Sequence, residues 1–181
     1  MESGPALILR TLDKHLTGPG SILLFGGAAI VLGYRRDRLT EDADLLLDDG
    51  ECRTLIDESG FSEAVEATNA ELGPQGLYLT YIFGPEQEIL CPTWREQCRP
   101  IALSGVTKLS ITVLGPIDLI LTKLARCDEG DLDDIRYLIA TENLGAAELN
   151  RALTSALVPE VLAEIFSESR QKLLALIGAL H

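Results

Sequence analysis

Phe25-Gly26-Gly27-Ala28-Ala29 and, with 14 residues between Gly27 and it, Asp42-Ala43-Asp44, introduced by Thr40-Glu41, are the stretches on which the reading of this chain turns. Ser21 to Phe25 is a short apolar run of the kind that forms a strand buried on both faces. Gly26-Gly27 stands where that strand meets a helix predicted from Ala28 to about Gly33. Glycines there let a backbone approach a phosphate, and the free N–H groups and dipole of a helix start attract one. Ala43 to Leu47 reads as the next strand. Strand side chains alternate, so Asp42 and Asp44 share one side while Ala43 and Leu45 face the core. Two carboxylates so placed repel unless a cation neutralises them, and their hard oxygens suit Mg²⁺ carried with substrate phosphates. Alone, the first element is a plain turn and the second a solvated strand end. Their order and spacing join them into a phosphate cradle facing a metal-binding pair.

Outward from this centre, Leu7, Ile8, Leu12 and Leu16 fall at helical spacing, and Gly18-Pro19-Gly20 ends that helix. Arg35, Arg36 and Arg38 form the densest positive cluster of the chain. A polar helix is expected from Asp49 to about Ala70, a turn at 73–76, and a strand from Leu77 to Phe83. Gly84-Pro85-Glu86-Gln87 reads as a hairpin turn into a second strand, Glu88 to Cys91. Val106 to Leu114 supplies another strand. Four helices are then predicted: Pro116–Arg126, Asp131–Thr141, Ala146–Ala156 and Val158–Leu180. The expected architecture is α+β, a sheet core over 1–115 and a helical C-terminal extension over 116–181, packed together as one unit.

Composition narrows the function classes. With 181 residues, 46% of them hydrophobic and 24% charged, the chain is no disordered polymer. Its 15 Lys+Arg against 28 Asp+Glu give a net charge of −13, which repels nucleic acid away from any local basic patch. Cys52, Cys91, Cys98 and Cys127 contain no C-x-x-C, and His15 and His181 are too few for a zinc site. No basic-then-apolar leader is read, so the cytoplasm is the expected compartment. Leu16 to Tyr34 carries no charge over 19 residues, but its glycines and proline mark it as buried core, not a membrane span.

The stretch from Gly26-Gly27-Ala28-Ala29 through Thr40-Glu41-Asp42-Ala43-Asp44 resembles, in order and spacing, the nucleotidyltransferase fold in its AbiEii-like toxin branch. Leu114-Gly115-Pro116-Ile117-Asp118-Leu119 through Lys123-Leu124 is similar to that family's P-x-D-L…K-L helix. Gly130-Asp131-Leu132-Asp133-Asp134-Ile135 is similar to its D-x-x-D motif. The resemblance implies a mixed sheet flanked by helices and a Mg²⁺- or Mn²⁺-dependent transfer of a nucleotide from an NTP. It assigns the metal to Asp42 and Asp44, and binding of the nucleotide to Gly26, Gly27, Arg36, Thr40, Asp131 and Asp134. Lys123 would neutralise leaving charge. Glu88, with Glu86 as the alternative, is the candidate third carboxylate and base. The implied acceptor is RNA such as tRNA, and the implied partner a cognate antitoxin protein.

Three of these residues also have plain structural readings. Asp131 is a natural helix N-cap, Asp134 suits the first helical turn, and Lys123 sits at the edge of an apolar stripe. Two rival functions stay open. Ala28 stands where many active relatives carry Ser or Thr, which fits a binding or regulatory module without turnover. The acidity fits an enzyme that nucleotidylates cationic small molecules.

Overall fold

The apolar spacing after Pro5 becomes α1, Gly4–His15, with the proline in its first turn. In the computed structural model, residues 3–35, 37–47 and 59–179 are described. The chain divides into two compact units, Met1–Gly84 with Cys98–Leu114 and Pro85–Gln97 with Gly115–His181.

The first unit is built on one mixed sheet. Its strands are β1 (Gly20–Phe25), β2 (Asp42–Leu46), β3 (Tyr78–Phe83), β4 (Arg99–Ile101) and β5 (Leu109–Val113), in the order β3-β2-β1-β5-β4. β1 runs parallel to β5 and antiparallel to β2, while β2 and β3 are parallel. Ile22, Leu23, Leu24 and Phe25 are all buried, as befits the central strand. From β1 the chain enters α2, Gly26–Gly33, which packs on β1 and β2. In the polar segment α3 spans Ser59–Leu72, and α1 packs against it; the expected start of that helix near Asp49 lies outside the described residues.

Two departures from the expected strands have local causes. β4 is three residues long and antiparallel to β5. It carries Pro100 and has no alternating pattern, and a proline is tolerated in such a position at a sheet edge. The hairpin expected from 77–83 into 88–91 does not form. Pro85–Gln87 is a 3-10 turn, and the backbone beyond it is engaged elsewhere. Leu90 exchanges backbone hydrogen bonds with Leu157, and the Cys91 N–H goes to Asp118. Ile89 and Leu90 bury their side chains, at 0% and 1% exposure, instead of pairing along the sheet.

The second unit is helical, with α4 (Trp94–Gln97), α5 (Pro116–Lys123), α6 (Glu129–Thr141), α7 (Ala146–Ser155) and α8 (Ala163–Ala179). α5 packs on α6 and α7, and α7 on α8. α8 starts later than the sequence suggests. Leu157 is drawn into its bridge with Leu90, and Pro159 is extended ahead of the 3-10 turn Glu160–Leu162.

One buried carboxylate holds the entry to β5. Asp13, on α1, accepts the backbone N–H groups of Thr107, Lys108 and Leu109 at 3.0, 2.6 and 2.8 Å, and the Thr107 hydroxyl at 3.3 Å. Burial pushes its pKa up, but these hydrogen bonds outweigh burial and hold it below the usual 3.8. Asp13→Ala should therefore cost about 1–3 kcal/mol in urea unfolding, because it removes the acceptor shared by three backbone N–H groups, that of Leu109 buried. The sign with pH follows from the lowered value. The carboxylate's contribution is complete above its unfolded pKa and is lost as pH falls through the folded one. Thermal scans from pH 7 to pH 2 should show that acid-dependent loss in the wild type and less of it in Asp13→Asn.

Candidate functional site

Because β1 and β2 are antiparallel, with Phe25 opposite Asp44, the second strand returns alongside the turn that ends the first. The extra residue in the β2–β3 ladder is Thr80 on β3, so the alternation along β2 is unbroken. Asp42 and Asp44 are half-buried on one side, while Ala43 and Leu45 are 0% and 3% exposed on the other. Gly26 has φ +62, and a Cβ built on it would lie 3.0 Å from Asp44 Oδ2. A Cβ on Gly27 would lie 2.9 Å from Thr40 Oγ1 and 3.8 Å from an Arg38 guanidinium nitrogen. Thr40 Oγ1 donates to Asp42 Oδ1 at 2.8 Å and so orients that carboxylate. Gly26, Gly27, Thr40, Asp42 and Asp44 are thus brought together at the start of α2, whose N-cap residue, Phe25, provides no side-chain hydrogen bond. Arg36 lies outside the described residues, and Arg38 is the loop cation seen at the turn.

The second unit gathers Lys123, Asp131 and Asp134. Lys123 Nζ lies 2.9 Å from Asp131 Oδ1 and 2.7 Å from Asp134 Oδ2, with all three side chains at most 7% exposed. Arg126 adds a fork to Asp131 at 2.9 and 3.0 Å. Burial pushes Asp131 up, but the hydrogen bonds and charges of Arg126 and Lys123 outweigh it and hold the carboxyl below the usual range. The capping expected of Asp131 is corrected. Asp128 is the N-cap of α6, its carboxylate accepting the Asp131 N–H at 2.9 Å. The chain turns into that cap through Cys127, at φ 54, and so leaves the Asp131 side chain to the ion cluster.

Glu88 follows a 3-10 turn in the second unit and is 9% exposed. The strand that motivated its role as base is absent, and the role is not carried forward. Sequence reasoning assigned no role to Asp118. It is fully buried, accepts the Cys91 N–H at 2.7 Å and ties the segment 85–97 to α5. Burial raises its pKa more than that hydrogen bond lowers it. Burial and the neighbouring Asp118 together push the Cys91 thiol up to about 12. Cys91 is therefore no nucleophile near neutral pH.

Among the described residues no group of three or more His, Cys, Asp or Glu side chains is arranged to hold a metal ion. A pair of carboxylates that shares its ion with substrate phosphates does not need a third, and the hard oxygens of Asp42 and Asp44 fit Mg²⁺ on that footing. No described helix is long and apolar enough to cross a membrane.

A sequence model of the family described as nucleotidyltransferases of unknown function, DUF6036, matches residues 8–176. The chain belongs to this nucleotidyltransferase family. No curated protein and no solved structure matches it. The match spans both units of the nucleotidyltransferase, the glycine turn with its aspartates and the Lys123 cluster alike.

The Lys123 cluster yields a stability test. Lys123→Met removes the cation and leaves buried carboxylates, at a cost of roughly 3–5 kcal/mol. Chemical denaturation at pH 7 should show this loss. A variant as stable as wild type would mean that the ion pairs are not maintained in solution.

Proposed function

We propose that this nucleotidyltransferase moves a nucleotidyl group from an NTP to an acceptor hydroxyl, with Asp42 and Asp44 as the metal-binding pair. The observation that carries the reading is the approach of the Gly26-Gly27 turn to Asp44 and Thr40, close enough that a Cβ on either glycine would crowd the Asp44 carboxylate or the Thr40 hydroxyl. In the reaction the acceptor oxygen bonds to the α-phosphorus, the bond from that phosphorus to the pyrophosphate oxygen breaks, and pyrophosphate leaves. The hydroxyl proton passes to solvent.

The chain's own groups then have defined tasks. Backbone N–H groups at the start of α2 bind phosphate oxygens, a role for which the bare glycines and the helix dipole are suited. Thr40 holds Asp42 in one rotamer by its 2.8 Å hydrogen bond. Arg38, beside Gly27, supplies positive charge to the triphosphate. A bound Mg²⁺ or Mn²⁺ supplies neutralisation of the charge that develops on the phosphoryl and leaving oxygens. For Lys123, Asp131 and Asp134 the support for a part in the reaction is the resemblance in sequence.

The finer likeness to AbiEii-like toxins supports RNA such as tRNA as acceptor and an antitoxin as partner. The net charge of −13 favours a small contact footprint, for which the described loop offers the exposed Arg35 and the half-buried Arg38.

Labelled NTPs with Mg²⁺ and total RNA should give labelled RNA and released pyrophosphate. Asp42→Asn and Asp44→Asn should each lower the rate by about 100-fold or more, since electrostatic clamps of this kind carry that much of the barrier. A second readout needs no acceptor. Mn²⁺ at about 100 times its Kd should stabilise the wild type by about 2.7 kcal/mol in thermal scans, and Asp44→Asn should lose the response. Metal stabilisation without turnover on any acceptor would favour the binding-module alternative. Labelling that survives both aspartate changes would sink the assignment.

A further inference from the structure

The ladder between β2 and β3 sets one aromatic side chain beside the aspartate pair, and nothing above gives it a task. Asp42 is in register with Tyr78, and Ala43 with Leu79. Ala43 and Leu79 are 0% and 3% exposed on the core side, so Asp42 and Tyr78 share the other side of the sheet. The tyrosine thus stands one strand over from Asp42, a spacing of about 4.8 Å. It is 42% exposed, yet it is held. Its hydroxyl donates to the Gly73 carbonyl at 3.3 Å, and its Cε1 lies 3.6 Å from where a Gly73 Cβ would be. The 3-10 turn Gly73–Gln75 therefore fixes the ring in advance, which lowers the entropy lost when a ligand packs on it.

Strand order decides which substrate meets this ring. β2 lies between β1 and β3, so the Gly26-Gly27 turn is on one flank of the aspartates and Tyr78 on the other. The next step rests on the nucleotidyl-transfer reading, in which the phosphates released as pyrophosphate sit at the glycine turn. Attack at phosphorus is in line, with the entering oxygen opposite the leaving one. The acceptor hydroxyl then approaches over β3, where Tyr78 stands. An aromatic side chain there suits a planar group next to that hydroxyl, and a nucleobase of any sequence offers one. Stacking also needs no positive charge, which suits a chain of net charge −13 with few cations to offer phosphates.

We propose that Tyr78 is a stacking platform for the terminal base of an RNA acceptor. It binds the acceptor and has no contact with the NTP phosphates. The test reads binding without turnover. A 5′-fluorescein hexamer of riboadenylate, and the same hexamer lacking its 3′-terminal base, are each titrated with the full-length protein in Mg²⁺ without NTP. Fluorescence anisotropy is followed.

The intact hexamer should bind about tenfold more tightly than the abasic one, the value of one stacked base. Tyr78→Leu should abolish that preference, while Tyr78→Phe, which keeps the ring, should retain it within about twofold. Circular dichroism of both variants should match the wild type. In the labelling assay Tyr78→Leu should raise the KM for RNA about tenfold and leave the KM for NTP unchanged. Its stabilisation by Mn²⁺ should also be unchanged, a split that a general loss of structure does not produce. Equal binding of the two hexamers by the wild type, binding of neither, or a preference kept by Tyr78→Leu would overturn the proposal and leave the metal pair standing. Mn²⁺ without effect on a wild type that still prefers the intact hexamer would sink the metal pair and support the platform.

Discussion

The chain leaves β1 in a tight turn directly over the β2 strand beside it, and the candidate site is arranged around that fact. Phe25 is the last residue of β1 and pairs with Asp44, so whatever follows Phe25 must turn directly over an aspartate. Gly26 does so at φ +62 with 3.0 Å between its missing Cβ and Asp44 Oδ2. An alanine would meet both the steric cost of a left-handed backbone, about 1–2 kcal/mol, and the carboxylate itself. The same close approach puts the start of α2 and two carboxylates within a few ångströms of each other. The positive end of the helix favours carboxylates there, while the two carboxylates repel each other.

Elsewhere this acidic chain buries carboxylates by other means, and the donor count decides the outcome. Asp13 receives three backbone N–H groups and a hydroxyl, enough to overcome its desolvation without any cation. Asp131 shares Lys123 and Arg126, so its charge is matched by charge. Asp118 has the Cys91 N–H and the adjacent thiol, and there burial wins and the pKa rises. The first two groups are suited to staying ionised. The third is suited to carrying a proton more readily than an ordinary carboxyl, which makes it a hydrogen-bonded tether in an apolar setting rather than a buried ion.

The parts of the fold that could be read in advance were those written in local periodicity. Period two put Asp42 and Asp44 on one side and Ala43 and Leu45 on the other, and the unbroken ladder on β2 preserved it. Glycine at 26 marked the left-handed turn. What could not be read depended on competition between distant or equivalent partners. Asp128 and Asp131 are both acceptable caps, and only the positive φ of Cys127 and the presence of Lys123 divide the roles between them. The segment 88–91 has the composition of a strand. Its backbone instead pairs with Leu157 and Asp118, residues far along the chain, and no local pattern announces that. β4 carries a proline, two exposed residues and no alternation, so it had no signal to give.

The position that weighed most against turnover in the sequence was Ala28, where a hydroxyl was expected. In the structure Ala28 is 1% exposed and Ala29 is 0% exposed, so both methyl groups sit in the core. A serine at 28 with the same backbone would bury its hydroxyl and would require a partner there at a cost of about 1–3 kcal/mol if none were found. The hydroxyl that does stand at the turn belongs to Thr40, 2.9 Å from the point where a Gly27 Cβ would be and already bonded to Asp42. A triphosphate bound at this turn, as proposed, would meet backbone N–H groups, a threonine that orders the first aspartate, and the Arg38 guanidinium. The small residues at 28 and 29 pack in the core, and the hydroxyl present at the turn is that of Thr40.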